Sequence, residues 1–332
     1  MELRTNASVN EAQSTQHVKV LIIGAGPAGL SAALYAARAE LEPVVLTGMT
    51  LGGQAALTHI VENYPGFPDG LDGAELGSLL QQHAERFGAQ VVFDTATEVD
   101  FSARPYRVTT YAGVYTADSV IIATGATPRH LEVPGEEQFT GRGVSYCGTC
   151  DGFFFKDKKV LVVGGGDSAL EEGAFLTRFA TDVNIVHRRD ELRASPILIN
   201  RANNNAKIDF TWDTVVRSIE GKESVEKVTL ENTKTGEKTE YETDGVFIFI
   251  GHTPNTQMFE GQLALDEHGY LITENWVETE LPGVFAAGEV ADSVYRQVVT
   301  SAGMGSAAAI AATRYVESLE DQYKEQARAV TE

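Results

Sequence analysis

Cys147 and Cys150 are the only cysteines in a chain of 332 residues, and Asp151 follows the second directly. Two residues between thiols correspond to about one helical turn, which brings the Cα atoms to about 5–6 Å, the span a disulfide needs. Such a pair can open and close with little local movement. Unpaired N–H groups at a helix start favour the thiolate, the form that attacks a disulfide. Asp151 is a candidate proton donor or acceptor for a departing sulfur. Half of a zinc site, or two unrelated buried thiols, are the other readings of the pair. Zinc takes four ligands, and no second Cys-x-x-Cys or close Cys/His cluster completes a set, so no metal is expected.

The elements that must position these residues come from a chain long enough for two ordinary domains, each with its own core. With 26 basic against 47 acidic residues, the net charge of −21 argues for solubility and against a nucleic-acid or anionic membrane partner. A small anionic ligand would need its own basic pocket. Apolar runs such as Val18 to Ile23 are too short to span a bilayer, and the chain start lacks the order of a signal peptide. A cytoplasmic protein is expected, and in that reducing compartment a lone Cys-x-x-Cys reads as catalytic rather than structural. Residues 1–17 are polar and are expected to form a disordered extension.

The run Val18 to Ile23 leads into Gly24-Ala25-Gly26-Pro27-Ala28-Gly29 and then a small-residue helix through Ala37. This is a strand, a glycine turn and a helix whose N-terminus can face a dinucleotide pyrophosphate. The next strand, Pro43 to Leu46, ends in Thr47-Gly48, without the acid that generally holds a ribose. A glycine- and proline-marked loop with Gly53, Gln54 and Asn63 follows, then a helix from Gly73 to Phe87. Gln90 to Val99, Tyr106 to Thr110 and Val114 to Ala123 read as a small antiparallel sheet, whose last strand runs into Ala123-Thr124-Gly125.

The pattern then repeats. Lys159 to Val163 leads into Gly164-Gly165-Gly166-Asp167-Ser168-Ala169 and a helix expected through Phe179. Ala169 stands where the third glycine would be, and the following strand, Asp182 to Val186, ends in His187-Arg188-Arg189 with Arg193 close behind. Where an NAD site would set a carboxylate, two guanidiniums here can fork onto a 2′-phosphate. Short alternating segments from Lys207 to Tyr241 close on Val246 to Gly251 and Pro254, and the tail brings Gly288-Glu289, Arg296-Gln297 and a helix from Ser301 to about Val316. A strand, an acid and a helix after the second unit are what a discontinuous first domain needs. The second unit is then an insertion joined near Ala126 and Pro254.

Cys-Gly-Thr-Cys-Asp-Gly-Phe-Phe, Gly-Gly-Gly-Asp-Ser-Ala, His-Arg-Arg-Asp with Arg193, and Tyr-Arg-Gln-Val-Val-Thr-Ser-Ala-Gly together resemble the low-molecular-weight thioredoxin reductases of bacteria. The likeness runs from about Val18 to Val316. It implies an α/β fold of two Rossmann-like, three-layer ββα nucleotide-binding domains. An FAD domain would span 18–126 plus 254–332, and an NADPH domain carrying the redox-active disulfide, 127–253, would be inserted in it.

The resemblance carries over residue by residue. Gly24, Gly26, Pro27, Ala28 and Gly29 would meet the FAD pyrophosphate, with Gly53, Gln54, Asn63, Ala123, Thr124, Gly125, Gly288, Glu289, Arg296 and Gln297 along the flavin. Glu289 departs from the family's Asp by one methylene. NADPH would lie on Gly164, Gly166, Asp167, Ser168, Ala169, His187, Arg188, Arg189 and Arg193. Cys150 would receive electrons from the flavin, Cys147 would attack the substrate disulfide, and Asp151 would protonate the departing thiolate. The family likeness further implies a thioredoxin partner, a homodimer and rotation of the inserted domain. A dithiol oxidase has little use for the Arg188-Arg189 pocket, ferredoxin-linked relatives meet the same objection, and a non-catalytic nucleotide sensor does not need the cysteines. Another protein or small disulfide as substrate stays open.

Overall fold

The computed structural model describes residues 15–58 and 60–331. The elements run β1 (Thr15–Ile23), α1 (Pro27–Arg38), β2 (Val44–Leu46), α2 (Gly73–Arg86), β3 (Gln90–Val92), β4 (Ala96–Asp100), β5 (Tyr106–Thr110), β6 (Val114–Ile122) and β7 (Ala126–Pro128). They continue with α3 (Glu136–Phe139), β8 (Val144–Ser145), α4 (Gly148–Asp151), β9 (Lys159–Gly164), α5 (Asp167–Leu176), β10 (Asp182–Val186), α6 (Pro196–Asn203) and β11 (Ile208–Thr211). β12 (Thr214–Gly221), β13 (Val225–Asn232), β14 (Lys238–Glu242), β15 (Gly245–Phe249), β16 (His252–Pro254), β17 (Val284–Ala286) and α7 (Val298–Thr331) complete the chain. Among the described residues no helix is long and apolar enough to cross a membrane.

Two compact units result, one holding the described residues through Ala56 with Asp72–Ala126 and the chain from Pro254, the other Leu57–Leu71 with Thr127–Thr253. In the first unit one sheet runs β3-β2-β1-β6-β5-β4, with β17 also paired to β6. Its central strands are parallel and covered on both faces, which is why β1 and β6 read as continuous apolar runs. The strand period of two divides their side chains cleanly. Val20 and Ile22 pack with Leu30, Ala33, Ala308 and Ala312 under α1 and α7. Leu21 and Ile23 pack with Phe101, Phe259 and Leu271 on the other face.

The second unit repeats this plan with a parallel sheet ordered β11-β10-β9-β15-β8 and a three-stranded antiparallel sheet, β12-β13-β14. Val160, Val162 and Phe247 face α5 and α6, clustering with Leu170 and Leu198. Leu161, Val246 and Ile248 face the antiparallel sheet, clustering with Val216 and Val228.

Several boundaries differ from the sequence expectations. The disordered extension was expected through His17, yet Thr15, Gln16 and His17 lie in β1, in parallel register with Val114, Tyr115 and Thr116 of β6. Their side chains are exposed, so backbone pairing rather than burial extends the strand; residues 1–14 lie outside the described residues. Gln90–Val92 does not join an antiparallel sheet but pairs in parallel with β2 at the sheet edge, and only β4, β5 and β6 are antiparallel. The helix expected through Phe179 ends at Leu176. The last helix extends well past Val316, because the mostly exposed, charge-rich segment beyond it carries helix formers without the apolar stripe that sequence reading looks for. The loop Leu57–Leu71, closed on itself by the antiparallel bridge Val61–Leu71, groups with the second unit rather than the first.

Candidate active site

Within the second unit, β8 delivers the chain to Cys147, which is extended at φ −142° and caps α4. Cys147 and Cys150 form a disulfide with Cα atoms 5.3 Å apart, the separation expected from their spacing. The Cys150 N–H donates to Cys147 Sγ at 3.2 Å, so a donor already faces that sulfur. Both cysteines are partly exposed, as a pair that meets an external disulfide must be. Asp151 ends the turn. Burial pushes its carboxyl up, and a hydrogen bond from Ser145 opposes that push. On the far side the turn is packed tightly: a Cβ at Gly148 would press into the Glu172 carboxylate of α5, and one at Gly152 would lie 3.0 Å from Leu176. Phe153 and Phe154, just beyond in sequence, are exposed.

In the same unit the β9–α5 turn presents a helix N-terminus that no side chain caps, with open space over Gly166. Ala169 takes the third-glycine position with its methyl against Gly164, so the tight packing survives the substitution. His187 is buried against Gly165, and its Nε2 has no hydrogen-bond partner among the described residues. Burial lowers its pKa and the neighbouring arginines lower it further, against a backbone hydrogen bond at Gly164 that raises it. Arg188, Arg189 and Arg193 are exposed, and none forms an ion pair among the described residues. The nearest acid in sequence, Asp190, is instead engaged by Lys234 at 2.8 Å. Two bonds tether the arginine loop to the glycine turn: Arg193 N–H to the Gly165 carbonyl at 2.8 Å and Ser195 N–H to Asp167 Oδ1 at 2.6 Å. Free guanidiniums, an uncapped helix start and an orphaned imidazole nitrogen fit a nucleotide carrying an extra phosphate.

The first unit holds the other turn. Gly24 sits at φ +110°, where a Cβ would collide with the Ala123 carbonyl, and a Cβ at Gly29 would collide with the Gly24 carbonyl. Only glycine fits either position. Gly26 caps α1 without a side-chain bond, Pro27 opens the helix, and a Cβ at Gly53 would lie 3.1 Å from the Gly26 Cα. Gly288 closes on Ala28, its position leaving 2.9 Å between a Cβ and the Ala28 methyl. This glycine-lined cradle at a helix start fits a dinucleotide pyrophosphate. Gln54 is exposed beside it. Glu289 is partly buried, its carboxyl pushed up to about 7 by burial and by Asp292 while Arg296 pulls it down. Arg296, at φ +51°, donates to Tyr270 Oη at 3.4 Å, and Gln297 donates to the Tyr295 carbonyl.

A family model described as pyridine nucleotide-disulphide oxidoreductase matches residues 18–305. The chain belongs to that family. This oxidoreductase is 50% identical over 305 residues to the thioredoxin reductase of Streptomyces clavuligerus, covering 91% of this chain and 95% of that one. It is 46% identical over 318 residues to the thioredoxin reductase of Escherichia coli O157:H7, covering 93% and 99%. The crystal structure of thioredoxin reductase from Streptococcus pyogenes superposes with a TM-score of 0.87 at 45% identity, over 92% of this chain and all of that one.

The oxidoreductase thus gathers Gly24, Gly26, Pro27, Ala28, Gly29, Gly53, Ala123 and Gly288 in one unit. Gly164, Gly166, Asp167, Ser168, Ala169, His187 and the arginines share the other unit with the cysteines. Two of the residues expected along the flavin have surroundings that the sequence does not announce. Asn63 lies in the second unit, because its loop folds there. Thr124 spends its hydroxyl on the Asn255 carbonyl at 2.8 Å, while the Asn255 amide donates to the Thr124 carbonyl, so the side chain ties two chain segments together. Gly165 and Ser145 escaped sequence reading. Gly165 is pinned beneath His187, and the His187-Arg-Arg run was the signal that could have paired them.

Proposed function

We propose that this chain is an NADPH-dependent, FAD-containing thioredoxin-disulfide reductase. The Cys147–Cys150 disulfide, with Asp151 beside it, lies in the same compact unit as the unpaired Arg188 and Arg189, and that observation carries the reading. In this reading FAD is held by the β1–α1 cradle in 18–126 plus 254–332, and NADPH by the β9–α5 turn in 127–253. Bound FAD would supply the relay that turns a hydride from NADPH into an electron pair for the disulfide.

The chain's own residues then do the following. His187 and the arginines orient the NADP end, with Arg188 and Arg189 forking onto the 2′-phosphate. Cys147, the outer sulfur, attacks a substrate disulfide as thiolate: one S–S bond forms, one breaks, and the departing sulfur takes a proton from Asp151. Cys150 then attacks Cys147, regenerating the disulfide and freeing the second substrate thiolate. The likeness to the reductases named above supports thioredoxin as that substrate, with the exposed Phe153 and Phe154 offering it an apolar contact. By the same likeness the enzyme works as a cytoplasmic homodimer, which light scattering of the purified protein tests. The function itself is tested by NADPH consumption with oxidised thioredoxin. Turnover with oxygen alone and none with any disulfide would favour a dithiol oxidase instead.

A further inference from the structure

Ser145 ends β8 and is 4% exposed. Its Oγ lies 2.6 Å from Asp151 Oδ2 and 3.2 Å from the Cys147 carbonyl, and it accepts the Cys147 N–H at 3.1 Å. A hydroxyl has one hydrogen, so the two acceptors compete. The Asp151 oxygen is closer, at 2.6 Å against 3.2 Å, inside the ordinary O–H···O range while the carbonyl lies beyond it, so the hydrogen goes to Asp151. One side chain therefore links the backbone of the attacking cysteine to the carboxyl of the acid.

We propose that Ser145 is a positioning residue for thiol–disulfide exchange, holding Oδ2 of Asp151 so that Oδ1 carries the proton to the departing sulfur. The inference rests on the reading of Asp151 as the acid. In the step, the Oδ1–H bond breaks, an S–H bond forms on the leaving thiolate, and the electron pair stays on the carboxylate. Ser145 donates to Oδ2 before and after the transfer, so no partner needs rebuilding. Burial and the Ser145 bond are the two influences acting on the Asp151 carboxyl. Glu172 of α5 also packs on this turn, its carboxyl against Gly148.

The test uses flavin-loaded full-length protein, pre-reduced with dithiothreitol and desalted, so that neither NADPH nor thioredoxin enters. Exchange is timed by stopped flow against pH with hydroxyethyl disulfide, whose alkyl thiolate needs a proton to leave, and with an aromatic disulfide, whose thiolate does not. Ser145→Ala should slow the alkyl reaction about tenfold, a part of the roughly 10²–10⁴-fold that a positioned general acid supplies. It should also move the pH at which that reaction falls off upward, because a bond that lowers the Asp151 pKa is gone. The aromatic reaction should be unchanged. Ser145→Thr, which keeps the hydroxyl, should keep the wild-type profile, and Ser145→Ala should add nothing to Asp151→Asn. An unmoved profile in Ser145→Ala, a shifted one in Ser145→Thr, or equal slowing of both disulfides would overturn the proposal. If Asp151→Asn itself matches wild type, the role of Asp151 fails first, and the proposal with it.

Discussion

Glu289→Gln removes a charge that the fold holds at a cost. Burial lifts this carboxyl from an ordinary 4.5 to about 7, and Asp292 adds to the lift while Arg296 opposes it. At about 1.4 kcal/mol per pH unit, keeping the carboxyl ionised in the folded chain costs about 3 kcal/mol. The folded carboxyl binds its proton more tightly than the unfolded one. Stability from this group is therefore fully present below pH 4.5 and is lost as pH rises through 7. Glutamine keeps the shape without the charge, so wild type and variant should melt alike near pH 4.5 and diverge above it. For a chain of this length the entropy of unfolding is roughly 0.7 kcal/mol/K, so the variant should melt about 5 °C higher at pH 8. Thermal melts of flavin-free protein followed by circular dichroism across that range measure it. Melting curves that stay parallel at all pH values would refute the reasoning.

Replacing Arg188 and Arg189 together by Ala should lower kcat/KM for NADPH by about 100-fold, as the loss of charge-assisted bonds to a phosphate implies, and leave NADH unchanged. Equal losses for both nucleotides would contradict the assignment. Cys147→Ser should retain bound flavin and its bleaching by NADPH while losing thioredoxin reduction, so residual protein-disulfide turnover counts against the outer-sulfur role. Gly29→Ala drives a methyl into the Gly24 carbonyl, and should yield protein without FAD at concentrations that saturate wild type, read from the absorbance of the purified protein.

Contiguous motifs were the legible part of this molecule. The Cys147-to-Asp151 turn and both strand-turn-helix glycine motifs are contiguous in sequence, so their spacing announced them even where, as at Gly24 against Ala123, a distant segment completes the packing. The division of β1 into two buried faces likewise follows from alternation that any strand enforces. What escaped was set by contacts between distant or irregular segments. Ser145 meets Asp151 only because β8 and α4 turn the chain back on itself, and nothing in Val-Ser-Tyr-Cys announces that. Thr124 gives its hydroxyl to the carbonyl of Asn255, 131 residues away in sequence, a bond that its own neighbours do not announce. Asn63 follows a loop that folds with the second unit, a placement fixed by tertiary contacts. His17 and its neighbours are in a strand because β6 pairs with them, and polar composition could not reveal a partner that comes later in the chain.

The central claim is that electrons from NADPH leave this protein through Cys147 and Cys150 to a thioredoxin. Its most direct measurement is NADPH oxidation at 340 nm by the purified flavoprotein, with oxidised thioredoxin, with small disulfides, and with oxygen alone. The structure predicts rapid, saturable turnover with thioredoxin that vanishes in Cys147→Ser, and little with oxygen alone. Turnover that is the same with or without thioredoxin, or that survives loss of Cys147, would contradict it.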